Sequence, residues 1–287
     1  MTRINLVGIS CLLYGTVFWG LVWYPYRLLS GGGIEPISAS LVSFFVALIF
    51  SLFSIIPKHF KELLANKKSL FIYASIGCLT NICYVLAVVY GEVVRSMLLF
   101  FMSPLWTIFF SYFLIDDEQL TAKHCLVALL SVLGGMIILA DFKLSLNIQL
   151  SDVFAIVAGM GFAATNVLAK KFKKINFQLK SLSIWSGVFF GGLVIEIFYG
   201  HFQFLENIFN PHNAMIILII GALLFISTLI VQYGLPRVNP VQTSPIFLFE
   251  IIVASLSSFY LADELLSLKD FIGGFLILTS ITVSVFD

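Results

Sequence analysis

The sequence predicts an all-α membrane protein of ten transmembrane helices, arranged as two inverted five-helix repeats. Composition, block length and an internal repeat carry that prediction. Of the 287 residues, 60% are hydrophobic and only 11% are charged, against a charged share near 25% in soluble domains. The apolar residues come in blocks of about twenty, which at about 1.5 Å per residue crosses roughly 30 Å of hydrocarbon. A pattern within residues 90–118 returns within residues 233–264.

Span one, 5–28, runs past the roughly 7–15 apolar residues of a secretory leader and shows no small-residue cleavage site, so it is expected to stay in the mature chain. Trp19, Trp23 and Tyr26 form one stripe on it, and Pro25 perturbs its end. Span two covers 36–57, and span three, 70–90, carries Asn81 and Tyr84 and ends at Tyr90. Span four, 93–115, opens with Arg95. Leu99, Met102 and Trp106 follow at helical spacing and extend one contact face below it. Spans five to seven cover 121–141, 151–169 and 180–199, with Gly134-Gly135, Gly159, Gly161, Gly187 and Gly191 offering close helix approach. Trp185 lies deep in span seven. Span eight, 214–233, ends at Tyr233-Gly234, Arg237 precedes span nine, 240–262, and span ten, 269–286, holds Gly273-Gly274.

With a cytoplasmic N-terminus, twelve of the sixteen Lys and Arg fall on the inner face, leaving Arg27, Arg95, Lys143 and Lys269 on the other. That bias places both termini in the cytoplasm. The basic runs around Lys67-Lys68 and Lys170-Lys171 read as topology determinants, so no nucleic acid is expected. Four cysteines inside spans and four scattered histidines match no metal or redox spacing, so no metal and no cofactor is expected.

The repeat is an ordered set: Tyr90-Gly91, Ser103-Pro104 and Asp117-Glu118 in one copy, Tyr233-Gly234, Ser244-Pro245 and Asp263-Glu264 in the other, with Lys123 and Lys269 each five residues after the glutamate. Five spans per copy is an odd number, so the second copy starts on the opposite side from the first. Residues 1–143 and 144–287 are thus expected to form inverted halves, the symmetry by which many secondary transporters expose one site to either side. Pro104 and Pro245 remove a backbone donor inside spans four and nine and predict kinks there, as Pro25 does in span one. The freed carbonyls need protein or water, which directs those faces inward.

Glu250 lies mid-span, five residues after Pro245. A carboxylate at that depth is costly unless paired, solvated or protonated. It reads either as a proton-exchanging group in a cavity or as a hydrogen-bonded acid joining two helices. Arg95 and Arg237 offer guanidinium forks to a carboxylate or phosphate at opposite mouths, or else snorkel to the headgroups. Asn81 fits solute contact and interhelical bonding alike; for Asn166 the structural role leads. An aromatic cavity built from Trp19, Tyr84, Trp106, Trp185, Tyr90 and Tyr233 would suit an apolar, aromatic or cationic solute, although Trp and Tyr also gather at interfaces. Glu196 and the acidic corners near span ends read as caps.

Phe18-Trp19-Gly20, together with the two segments joining Pro104 to Glu118 and Pro245 to Glu264, resembles the drug/metabolite transporter superfamily and its EamA-type ten-helix members. The resemblance covers essentially the whole chain. It implies a bacterial inner-membrane carrier working by alternating access around a central cavity, and no enzyme. The segment from Gly91 to Phe100 is similar to a bacterial subgroup, some of whose relatives export aromatic amino acids. The expected function is therefore export of amino-acid-like or amphiphilic metabolites; coupling to protons through Glu250 is an expectation from that carboxylate's depth and not from the resemblance, because the first copy places Phe109 there. The alternatives are a carrier of nucleotide-linked or other anionic metabolites, or a non-transporting scaffold. The expected partners are a small solute, the lipid bilayer and protons; a homodimer is compatible with the small-residue faces, none of which is assigned as an interface.

Overall fold

The computed structural model describes residues 3–91, 93–115, 121–139, 148–199, 204–261 and 267–285. Among these every regular element is helical. In chain order they are α1 (Arg3–Gly31), α2 (Pro36–Ser54), α3 (Ile56–Ala65), α4 (Lys67–Tyr90), α5 (Val93–Phe100), α6 (Ser103–Leu114), α7 (Ala122–Leu139), α8 (Leu150–Lys171), α9 (Phe177–Tyr199), α10 (Phe204–Ile208), α11 (Pro211–Gly234), α12 (Pro240–Phe247), α13 (Phe249–Leu261) and α14 (Leu268–Val285), with a 3-10 turn over Leu235–Arg237. The acidic corners Asp116-Asp117-Glu118 and Asp263-Glu264 lie outside the described residues, as does Lys143.

Seven helical stretches are long and apolar enough to cross a bilayer, at 6–31, 67–88, 95–114, 150–171, 177–198, 211–237 and 240–261; shorter apolar stretches lie at 36–52 and 122–138. The chain is a multi-pass membrane protein by this measure, with seven full-length spans among the described residues where the sequence predicts ten. The second and fifth intervals fall on the shorter stretches. The tenth falls on α14, which carries Lys269 and Asp270 in its first turn.

Two of the expected spans are not continuous. α5 ends at Phe100, α6 begins at Ser103, and Met102 between them has ψ 0. Pro104 therefore takes one of the first two positions of a new helix, where its missing N–H costs nothing. Pro245 instead stays inside α12, which stops two residues later at Phe247; Leu248 caps it and α13 resumes at Phe249. Both spans thus break after eight residues, at different offsets from their prolines. Pro25 sits inside α1, which continues to Gly31.

Packing exchanges partners between the first and second parts of the chain. α1 lies on α11, α12 and α13, while α8 lies on α4, α5 and α6; α2 and α9 face each other, as do α7 and α14. Glycines set the closest approaches. A Cβ at Gly134 would meet the Gly273 carbonyl oxygen at 2.7 Å, and one at Gly273 would strike that of Gly134, so α7 and α14 touch backbone to backbone. Gly187 and Gly191 lie against Ala74 and Cys78 of α4, so that pair of small residues serves a contact within the chain. Gly134→Leu is expected to cost about 2 kcal/mol through forced separation of α7 from α14. Gly31→Ala, with nothing within 4 Å of its added carbon, should leave thermal unfolding in detergent unchanged.

Candidate functional site

The two broken spans meet in the interior. Thr107 of α6 and Ser244 of α12 share a hydrogen bond of 2.5 Å, and both are fully buried. Thr107 Oγ1 also donates to the Ser103 carbonyl at 2.9 Å. The repeated Ser-Pro steps are therefore linked through Thr107 where α6 packs on α12. Behind the first break, Gly159 of α8 leaves no room for a side chain: an added Cβ would meet the Phe100 oxygen at 2.7 Å. That oxygen lies four residues before Pro104, and it is the carbonyl that proline leaves without its helical donor.

An aromatic ladder links the same breaks. Tyr84 packs on Phe100 with ring centroids 4.9 Å apart, Phe100 on Phe162 at 5.4 Å, and Phe162 on Phe247 at 5.1 Å. Phe100 and Phe247 are the last residues of α5 and α12. Glu250 stands in the first turn of α13, half-buried and within electrostatic reach of the Tyr84 phenol. Among the described residues its carboxylate takes part in no hydrogen bond or ion pair. Gly20 lets α1 lie on this turn, since a Cβ there would meet the Glu250 carbonyl oxygen at 2.9 Å. The adjoining turn is tied down by Trp23, whose Nε1 donates to Ser257 Oγ at 2.9 Å, and Ser257 in turn donates to the Gly20 carbonyl.

The other predicted site residues are spread more widely. Arg95 grips Asp152 in the first turn of α8: Nε donates to one carboxylate oxygen and Nη2 to the other, each at 2.6 Å. Arg237 folds back on its own turn, bonding the Tyr233 carbonyl and laying its guanidinium 3.4 Å from the Tyr233 ring centroid. Tyr233 also packs edge-on against Phe177, whereas Tyr90 is exposed at the end of α4. Trp185 is fully buried, stacked on Phe225 in the core, and its indole N–H has no partner among the described residues. Trp106 is half-buried beside Phe109, and Trp19 packs on Phe18. Asn81 accepts from Ser40 Oγ at 3.3 Å and lines a cavity of ≈ 10 Å³ with Ser40, Leu41 and Val188. That is room for about one water. A larger groove of ≈ 210 Å³ lies between α7, α13 and α14, beside Asp270 and Phe275. Neither space is lined by Glu250.

Several interior polar groups carry more of the bundle than the sequence reading gave them. Gln149 and Asp152 have the three-residue spacing of a capping box and form one at the start of α8, a signal that places Asp152 at a helix start but not beside Arg95. Tyr73 donates to Gln232 Oε1 at 2.9 Å, joining α4 to α11. Lys180 is fully buried and donates to the Ala169 carbonyl at 3.1 Å, while Lys170 reaches the Pro236 carbonyl at 3.0 Å. Glu196 is 3% exposed rather than a solvated cap, and it accepts from Ser38 Oγ at 2.6 Å at the start of α2.

A polytopic helical bundle with two broken helices in contact in its interior, and an acid beside them that has no partner among the described residues, has the build of a membrane transporter. The chain belongs to the EamA-like transporter family, whose family model matches residues 6–140 and again 149–286. It is 25% identical over 242 residues to an uncharacterized transporter of Archaeoglobus fulgidus, a match covering 84% of each chain. A solved crystal structure aligns with 99% of this chain and 97% of its own at a TM-score of 0.74; at 14% identity that likeness concerns the fold alone.

Proposed function

We propose that this protein is a secondary transporter of amino-acid-like metabolites, working as an exporter in a bacterial inner membrane with both termini in the cytoplasm. The observation that carries the reading is the meeting of the two broken helices at Thr107 and Ser244. Interrupted helices at corresponding places in two halves mark the binding region of many secondary carriers, because unwound backbone is tolerated only where it lines a cavity or is held by protein. The exchanged packing, α1 on α11 and α13 against α8 on α4 and α6, supports two inverted five-span halves divided near residue 144. Rocking of one half on the other would expose the crossing to each side in turn.

Glu250 and Tyr84 supply the polar chemistry at the crossing, and Phe100, Phe162 and Phe247 the apolar wall. An acid with no counter-ion among the described residues can hold a proton or an ammonium group and release it when the other side opens, which couples export to the proton gradient. The test is uptake and efflux of labelled amino acids and amphiphilic amines in proteoliposomes, with and without an imposed pH gradient. A gradient-dependent flux of at least one zwitterionic compound is the expected result. Protein that is inserted, folded and inert to the whole panel would return the chain to the scaffold reading.

A further inference from the structure

Arg95 belongs to the first family-matched half and Asp152 to the second, so their ion pair ties the halves together. The guanidinium takes both Asp152 oxygens, the two-point geometry that any free carboxylate adopts on arginine. Asp152 has a second home as well. It accepts the Gln149 N–H at 2.8 Å and sits in the first turn of α8, at the end of a helix that favours an anion. If Arg95 swings away, the carboxylate is left hydrogen-bonded at a helix N-terminus and not stranded. The arginine is the more open partner, its side chain 13% exposed against 6% for the acid. Around them Gly91 lies against Ser151, and Ser96 Oγ donates to the Ala87 carbonyl at 2.8 Å. The ion pair thus lies beside the contact of Gly91 and α5 with the start of α8.

We propose that Arg95 and Asp152 form a carboxylate-exchange latch: a solute carboxylate takes Arg95 from Asp152, and losing the bond between halves opens this end of the bundle. The latch names the solute class as carboxylate-bearing and rests on the transport reading. Its energetics follow from differential affinity, since the solute opens the seam only by binding Arg95 better when Asp152 has retreated to its cap.

The test reads accessibility and needs no flux. In a chain whose four cysteines are serine, Ser96→Cys reports on the seam, Ser96 being 2% exposed; Ser151→Cys, at 4% exposure, serves if the first variant fails to insert. Labelling by a membrane-impermeant maleimide, applied to vesicles from each side, is expected to rise about tenfold on adding Asp152→Asn, which keeps an acceptor for Gln149. Arg95→Gln, which leaves the cap untouched, should raise it similarly. With the latch intact, α-amino acids should accelerate labelling and their carboxamides should not; in the Arg95→Gln chain neither should act. Unchanged labelling in both latch variants overturns the proposal, and equal acceleration by carboxylates and carboxamides overturns the exchange. Absent flux with this labelling pattern preserved removes the transport reading and leaves a carboxylate-sensitive seam with no role in solute movement.

Discussion

Arg95→Ala is expected to lower the stability of the folded bundle by about 3 kcal/mol, the larger part of it from the acid left behind. Removing one member of a buried pair costs about 3–5 kcal/mol because the remaining charge keeps its desolvation penalty without its counter-ion. Asp152 holds on to the Gln149 N–H, which places the loss at the lower end of that range. The double variant Arg95→Met with Asp152→Asn removes both charges while keeping a capping acceptor, so it should recover more than half of the loss. Thermal unfolding in detergent of the parent, Arg95→Met, Asp152→Asn and the double variant measures the cycle. Strictly additive losses would mean that the two side chains act independently, against the geometry of two 2.6 Å bonds.

That pair also shows where the sequence was readable and where it was not. Block length and polarity located the helices, since twenty apolar residues in a row leave little else for the backbone to do in lipid. The paired Ser-Pro steps pointed to the segments that cross. The local form of each break was not available, because it depends on what packs beside it. Pro104 opens a helix where Gly159 of α8 presses on the Phe100 oxygen, whereas Pro245 is carried inside α12 and the chain breaks three residues after it.

The partners of the polar residues were legible only in part. Asp152 stood at capping-box spacing from Gln149, a signal strong enough to place it at a helix start, but its pairing with Arg95 joins residues 57 apart in sequence. Glu196 gave no sign of burial: its position near a span end suits a solvated cap equally well, and only the arrival of Ser38 from α2 makes it interior. Arg237 shows the opposite case. Its position before span nine suits solute contact and snorkelling alike, and the guanidinium bonds the Tyr233 carbonyl and lies on its ring four residues back. Gly8 of α1 permits this turn to pack closely, since a Cβ there would meet Val238 at 2.7 Å and the Arg237 Cβ at 3.0 Å.

Glu250→Gln should leave insertion and unfolding nearly unaltered while removing the response of flux to an imposed pH gradient. Glutamine keeps the length and the half-buried setting of the side chain, and no ion pair among the described residues is broken by the change. What disappears is the capacity to alternate between charged and neutral forms. A carrier that exchanges a solute for a proton at this carboxyl then becomes an exchanger or a facilitator, with downhill flux within about threefold of the parent and no uphill accumulation. Glu250→Asp keeps the acid but withdraws it toward the backbone, so it should retain gradient dependence at reduced rate. Counterflow in proteoliposomes reports the first quantity and accumulation under a pH jump the second. Full accumulation by the glutamine variant would move proton coupling to another acid, and Glu196, buried against α2, is the next to replace.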